Sequence, residues 1–535
     1  MSESAPNQTL TDKEKRLLFW ASFLSLTAAG VGFAFRVAMG NVYGAELQLS
    51  NQEVGQIMGA SLWPIAVTMI LFSLVVDRTG YKMPMILAFV LQALSGIGSW
   101  MSESYTALYL SAIAAGLGHG IVEAVINPIC AAVYPREKTK WLTILHASWP
   151  AGLVLGTLLI LAGGDDLGWR MHALWIFVPA VPYVLMFLPC RFPVDERVKA
   201  GVPFREMLQQ VGFLTAFLAC GLMVYEIGNQ VFALTGATPP AAKDWFGLDW
   251  FGMSLVVGGL IGGVFGFAVK SFGRPLFFLM CLLMIPVATA ELGTDGWIKG
   301  LMAPVLKEYE VNPALALIFS ASIMLLLRAF AGSILRLFSP PALMCVSGVL
   351  SAVGLYWLST TAGMAVFIAF TLYALGQTYY WPCMLGFTSE RYPQGGALTL
   401  NTVSAIGLLS VGIIGAPILG VAFDSSIHAT VKKDVPALEQ AATVEGGFLW
   451  MSNQKIDPGK AAEYVLTLPE ADRAAVSKVF SPEEPQGEAQ IQAGRDALAF
   501  AVRFPLTLSI VFGIIALWFR SKGGYKPIVL DSADQ

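Results

Sequence analysis

Apolar residues run along most of this chain in stretches long enough to cross a lipid bilayer. A hydrocarbon core near 30 Å takes about 20 apolar residues of helix. On that template the pattern predicts spans near 17–42, 54–76, 83–101, 107–133, 141–163, 170–188, 211–234 and 250–269. Six more follow near 275–292, 314–335, 341–360, 363–388, 397–421 and 501–519, giving about 14 transmembrane helices. The first run is too long for the apolar core of a signal peptide and has no small-residue cleavage pattern, so it reads as a retained first span.

Between the spans, the polar positions predict topology. Lys13, Lys15, Arg16, Arg78, Lys82, Arg136, Lys138 and Lys140 fall on one side, as do Arg191, Arg197, Arg274, Arg336, Arg391, Arg520 and Lys522. The short loops on the other side hold only Arg170, Lys243, Lys299 and Lys307. The positive-inside rule then places both termini in the cytoplasm of a multi-pass protein of the plasma (cytoplasmic, inner) membrane. The polar stretch of about 425–500 lies outside. Asp457-Pro458 reads as a helix start, and Ser481 with Glu484 as a capping box, so short helices forming an outer cap are expected, with a solvated spacer as the alternative.

Composition agrees: of 535 residues, 56% are hydrophobic and 13% charged, against about 25% charged in soluble domains. A net charge of −3 with no basic run gives no reason to expect nucleic acid as a partner. The expected partners are the lipid bilayer and a small-molecule substrate, and the chain is expected to work as a monomer. The 6 cysteines lie in or beside apolar runs, which predicts buried thiols rather than disulfides. Histidines at 119, 146, 172 and 428 have no metal-ligand spacing, and no phosphate-cradling loop is present. No catalytic constellation emerges, so neither an enzyme nor a cofactor is expected.

An internal repeat organises the spans. "GLGHGIVEAVINPICAAVYP" (116–135) is echoed by "ALGQTYYWPCMLGFTSERYP" (374–393). Gly118 matches Gly376, Tyr134-Pro135 matches Tyr392-Pro393, and Arg78 matches Arg336, all at one offset. The fourth span thus pairs with the twelfth. The partners are eight spans apart, an even number, so the two halves run parallel. The expected domains are 1–200, a six-helix half; 201–272, two inserted helices; and 273–535, a second six-helix half carrying the outer loop. Gly258, Gly262 and Gly266 give the second inserted helix a small-residue packing face. The inserted pair reads as peripheral scaffolding, apart from Glu226, which needs polar company in the membrane.

Charged groups inside spans are costly and mark function by default. Glu123 lies mid-span, and its expense as an anion in oil makes it a candidate proton carrier. Pro128 frees nearby carbonyls, and Asn127 can bond to them or to a ligand. Arg36 and Arg328 stay protonated and need anions, carbonyls or water. Facing a cavity, they would suit a carboxylate substrate. Tyr379, Tyr380 and Trp381 with Gln377 suit a sugar, through ring stacking and hydroxyl bonding. His146 and Asn401 lie close to the cytoplasmic side and read as weaker candidates.

Two motifs carry a resemblance. "SLVVDRTGYKMP" (73–84) resembles the signature loop of the major facilitator superfamily, G-x-x-x-D-(R/K)-x-G-(R/K)-(R/K), with Ser73 for the first glycine and Tyr81 for a basic residue. The resemblance implies a conformational-switch loop of Asp77, Arg78, Gly80 and Lys82, with Asp77 meeting a helix N-terminus of the other half. "GLGHGIVEAVINP" with "LHASWPAGLVLG" resembles spans four and five of the fucose permease branch, which are sugar–proton symporters. "TAELGTDGWI", with Glu291 and Trp297, and "LLLRAFAG", with Arg328, resemble later core helices of that branch. The resemblance implies an all-α integral membrane fold of two six-helix halves, with Glu123 as the protonation site. That branch can carry an aspartate in span one, where this chain has Arg36. The expectation is therefore a secondary active transporter moving a small polar solute, a sugar with proton (or sodium) symport, by alternating access. Its substrate-binding residues would be Arg36, Asn127, Glu291, Trp297, Arg328, Gln377, Tyr380 and Trp381. The alternatives are symport of a small organic anion held by Arg36 and Arg328, and a transporter-derived membrane sensor that binds without translocating.

Overall fold

The computed structural model describes residues 10–240, 247–312, 314–449, 451–481 and 487–530. Lys243 and Glu484 lie outside them. Twelve helices among the described residues are long and apolar enough to cross a membrane. The first eight are α1 (Asp12–Glu46), α2 (Glu53–Thr79), α3 (Lys82–Trp100), α4 (Tyr105–Val133), α5 (Lys138–Gly163), α6 (Gly168–Phe187), α7 (Phe204–Thr235) and α8 (Trp250–Val269). α9 (Pro275–Gly293) follows, and then the shorter α10 (Leu315–Ala329). Next come α11 (Pro340–Thr360), a broken α12 (Ala365–Gln377 and Tyr380–Arg391), α13 (Pro393–Asp434) and α14 (Glu488–Ser521). Counting α10 and the two-part α12, the described spans match the fourteen predicted from the pattern.

The helices start where their chemistry says they should. Thr11 caps α1 in a reciprocal box with Glu14, and Ser50 does the same with Glu53. Four of the helices interrupt themselves. Pro128 lies inside α4, α5 bends after Leu145, α9 ends in a π-turn at Thr289–Gly293, and α12 breaks at Thr378–Tyr379. Such breaks leave backbone groups unpaired at membrane depth, so they must face protein or a cavity.

The repeat is structural. α4 ends at Tyr134 with φ −123° and ψ 60°, and α12 ends at Tyr392 with φ −129° and ψ 51°. Gly118 lets α4 sit on the α3 backbone at Ala88, and Gly376 lets α12 sit on the α11 backbone at Ser347. The two halves therefore make the same third-on-fourth-helix contact.

α7 and α8 pack on each other as the inserted pair. A Cβ on Gly258 would lie 2.5 Å from the Gly221 Cα, so only glycine permits this approach. On its outer face α8 exposes Leu260, Val264 and Phe267, as a lipid-facing helix does.

The first and last described segments lie at one end of the bundle. Glu14 pairs with Arg191 there, and the C-terminal tail returns through Ile528 N–H to the Glu390 carbonyl (2.8 Å). The opposite end carries a folded cap rather than a solvated spacer. Its helices Pro436–Ala442, Pro458–Thr467 and Glu470–Val479 enclose a core that includes Leu438, Ala461 and Phe480. Asp457 caps the second of these through Lys460 N–H at 2.9 Å, as the sequence predicts. The cap also contains a hairpin absent from that prediction, β1 (Thr443–Phe448) paired antiparallel to β2 (Met451–Ile456).

Candidate functional site

The two halves enclose a cavity of about 390 Å³, within the range of small-molecule sites. Contacts between the halves close it on the side of the termini. Asn401 of α13 donates to Ser73 Oγ (2.7 Å) and to the Ala124 carbonyl (3.1 Å). Farther toward the termini, Thr139 of α5 gives its N–H (3.1 Å) and hydroxyl (2.6 Å) to Glu390 of α12.

On the first half's wall stands Glu123, 8% exposed. Asn127, one turn on along α4, donates Nδ2–H to Glu123 Oε2 at 2.7 Å and accepts from His146 Nε2 at 3.0 Å. His119 Nε2 lies 3.8 Å from Glu123 Oε1, and His146 Nε2 4.0 Å from Oε2. The His119 ring stacks on Trp149, with centroids 5.0 Å apart. One carboxylate thus has three nitrogen-bearing side chains around it, a geometry in which a proton can be held and passed.

On the second half's wall stands an ion pair. Arg328 donates to Glu291 Oε1 (2.6 Å), to the Thr378 carbonyl (2.8 Å) and to the His146 carbonyl (3.1 Å). Glu291 Oε2 accepts Trp381 N–H at 3.1 Å. The breaks in α5 and α12 supply the carbonyls and the free N–H, while the π-turn of α9 presents the carboxylate. Arg328 therefore ties four helices across both halves.

The predicted residues divide by position. Glu123, Glu291, Arg328 and Trp381 line the cavity, and Asn127 is fully buried directly behind Glu123. Arg36 lies in a small side pocket that shares only Phe33 and His119 with the cavity wall. Trp297 packs on Phe423 (4.7 Å) away from the wall, and Tyr380 turns its hydroxyl to the Ser347 carbonyl (3.4 Å). Gln377 is fully buried off the wall, and both its amide atoms are without partners among the described residues.

His146, which the sequence places near the membrane edge, sits at the heart of the site. It lies eight residues into α5, about 12 Å at 1.5 Å per residue, which is deep enough to reach Asn127. His119 is a second site residue that the sequence reading does not single out, although its i−4 spacing from Glu123 puts both on one helix face. Other wall residues outside that reading include Trp63, Trp149, Asp295 and Ser404. Glu226 also reaches the wall, so the inserted α7 contributes to the cavity as well as to the scaffold. Its carboxylate accepts from Gln230 (2.9 Å), whose own oxygen accepts from Tyr109 (3.2 Å).

The switch loop is arranged differently from the expectation. Asp77 pairs with Arg197, in the segment after α6, and not with a helix N-terminus of the other half. Asp195 takes that place, lying against Gly396 near the start of α13. The reason is local: Asp195 caps a helical turn through Arg197 N–H (2.9 Å), which fixes the Arg197 side chain beside Asp77. Burial, and next the nearby Asp77 carboxylate, pushes Asp195 up to about 6. Gly80 turns the chain at φ +68°, Lys82 donates to the Leu188 carbonyl (2.6 Å), and Arg78 stacks over Phe204 at 5.9 Å.

Comparison with known proteins places this architecture. An uncharacterised MFS-type transporter of Mycobacterium tuberculosis is 27% identical over 213 residues, which is 36% of this chain and 27% of that protein. The cis,cis-muconate transport protein of Acinetobacter baylyi is 26% identical over 177 residues, covering 32% of this chain and 43% of that protein. The chain thus spans well under half the length of the curated relatives it matches. Among solved structures, the proton:xylose symporter XylE aligns over 94% of this chain and 97% of its own, with a TM-score of 0.55 and 14% identity. The human organic anion transporter MFSD10 gives 0.55 at 11% identity over 93% and 99% of the two chains. The fucose:proton symporter FucP of E. coli gives 0.52 at 12% over 94% and 98%. At these identities the likeness is one of fold. The profile of the Major Facilitator Superfamily matches residues 18–417, running through both halves and the signature loop, so this chain is a member of that transporter family.

Proposed function

We propose that the protein is a proton-coupled symporter of a small, neutral, polar solute of the sugar class, working as a monomer by alternating access with both termini in the cytoplasm. The observation that carries the reading is the chemistry of the cavity wall. Its formal charges are Glu123, Glu226, Glu291, Asp295 and Arg328, an excess of acid that disfavours an anionic solute. The one arginine among them is already engaged by Glu291 and two carbonyls, leaving no free fork for a carboxylate. Trp63, Trp149 and Trp381 bring aromatic surface to the wall, against which the apolar side of a sugar can pack. Around Glu123 the neighbours are nitrogens of His119, His146 and Asn127. Sodium wants a shell of oxygens, whereas a proton suits this set. The resemblance to the fucose permease branch and the shared fold with XylE and FucP agree with the reading.

In the proposed cycle the present state, closed toward the termini, loads solute and proton from the cap side. Protonation of Glu123 removes a charge that would be costly to carry through an occluded state. The two halves then rock, breaking the Asn401 and Thr139–Glu390 contacts.

Uptake into proteoliposomes with an internal pH reporter tests this, with neutral sugars and small carboxylates compared side by side. Accumulation of a sugar with inward proton flow is expected, and Glu123→Gln should abolish accumulation while sparing exchange. Accumulation by the Gln variant would remove Glu123 from the coupling role, and uptake of carboxylates alone would overturn the solute class.

A further inference from the structure

Three arginines are buried among the described residues: Arg36, Arg197 and Arg328. Arg197 pairs with Asp77 and Arg328 with Glu291. Arg36, 7% exposed, pairs with no carboxylate and donates to no carbonyl among the described residues, and its Nε is buried without a partner. A guanidinium does not lose its proton to escape this, so the charge stands in a low-dielectric interior without compensation.

Beside it is a pocket of about 10 Å³, walled by Arg36, Phe33, Ser61, Gln92, His119 and Ile176. That is room for one water-sized body. The polar neighbours are mostly occupied. Ser61 gives its proton to the Met58 carbonyl (2.7 Å). Gln92 donates to the Ser25 carbonyl (3.4 Å) and accepts from Tyr183 (3.0 Å). What remains unsatisfied is dominated by the N–H fork of Arg36.

We propose that this pocket binds a single small monovalent anion of the halide class, which neutralises Arg36 in the state closed toward the termini. A cation is excluded by the guanidinium. A carboxylate, with three heavy atoms, exceeds the space. The site is distinct from the solute cavity but adjoins it, because His119 and Phe33 form the partition. The inference concerns binding alone, so it stands or falls separately from symport.

The test is thermal unfolding of the full chain in nanodiscs, titrated with sodium chloride or bromide against sodium gluconate at constant ionic strength. The wild type should gain several degrees, saturably, with either halide and not with gluconate. Arg36→Gln should lose the gain, and Arg36→Lys should keep a weaker one. An absent gain, an equal gain with gluconate, or a gain retained by Arg36→Gln would overturn the proposal. So would an Arg36-dependent gain from formate or acetate in place of halide. Where Arg36→Gln does not fold, anomalous diffraction from bromide-soaked wild-type crystals decides: a peak beside Arg36 supports the site, and an empty pocket refutes it.

Discussion

Replacing Arg328 by glutamine should cripple the fold's centre, and by more than the loss of one surface charge. The arginine is 2% exposed and Glu291 is 4% exposed, so although both border the cavity little of either is open to water. Removing the guanidinium leaves the Glu291 carboxylate with only the Trp381 N–H at 3.1 Å. It also strands the Thr378 and His146 carbonyls, which sit at helix breaks with no helical partner to return to. Breaking a buried pair from one side costs about 3–5 kcal/mol, because an uncompensated charge stays behind. Glu291→Gln should cost about the same, about 3–5 kcal/mol, because it strands the Arg328 charge, which cannot shed its proton and keeps only an amide oxygen as acceptor. If the pair is what matters, Glu291→Gln combined with Arg328→Gln should lose well under the sum of the singles, with a coupling of about 2 kcal/mol or more. The assay is a double-mutant cycle on reversible denaturant unfolding in mixed micelles, supported by melting temperatures. Additive effects within about 0.5 kcal/mol would refute the reasoning and reduce the pair to two independent polar contacts.

Away from the cavity, Asp195 holds its proton up to about 6 in the folded chain against 3.8 for an ordinary aspartate, so its contribution to stability is full below pH 3.8 and fades as pH rises through about 6. At 1.36 kcal/mol per unit this is about 3 kcal/mol, and unfolding followed from pH 4 to 7.5 should show Asp195→Asn flattening the decline and gaining stability at pH 7.5. A wild-type profile unchanged by the substitution would count against it. Gly258→Val should force α7 and α8 apart and lower the melting temperature, whereas Leu260→Ala, 67% exposed on the same helix, should shift it little. Equal effects of the two would mean that α8 does not pack through its glycine face.

The chain's own pattern determined a good deal. Apolar length alone located the spans, because each helix must satisfy its backbone within itself once it leaves water. The shared Tyr-Pro endings at 134–135 and 392–393 revealed the two halves, since a helix stop is a local event written in adjacent residues. Glu123 was legible because a carboxylate is costly in an apolar run and is seldom kept there without a role. The glycine face of α8 was legible for the same local reason.

Other features needed three dimensions. Nothing near His146 in sequence tells that its ring meets Asn127 or that its carbonyl meets Arg328, 182 positions away. The aromatic cluster 379–381 divides between wall and core, with Trp381 facing the cavity and Tyr380 turned inward, because the break in α12 sets their directions. Asp195 rather than Asp77 faces the second half, since a cap inside a loop steers Arg197. The hairpin in the cap is not legible from its residues, because two short strands are stabilised mainly by what they pack against. Which segments leave water, and which charges they carry into the membrane, is written in the residues one by one, for transfer cost is a property of each residue. Which of those charges meet is settled in the folded bundle, because pairing depends on the depth, rotation and bends of helices far apart in the chain.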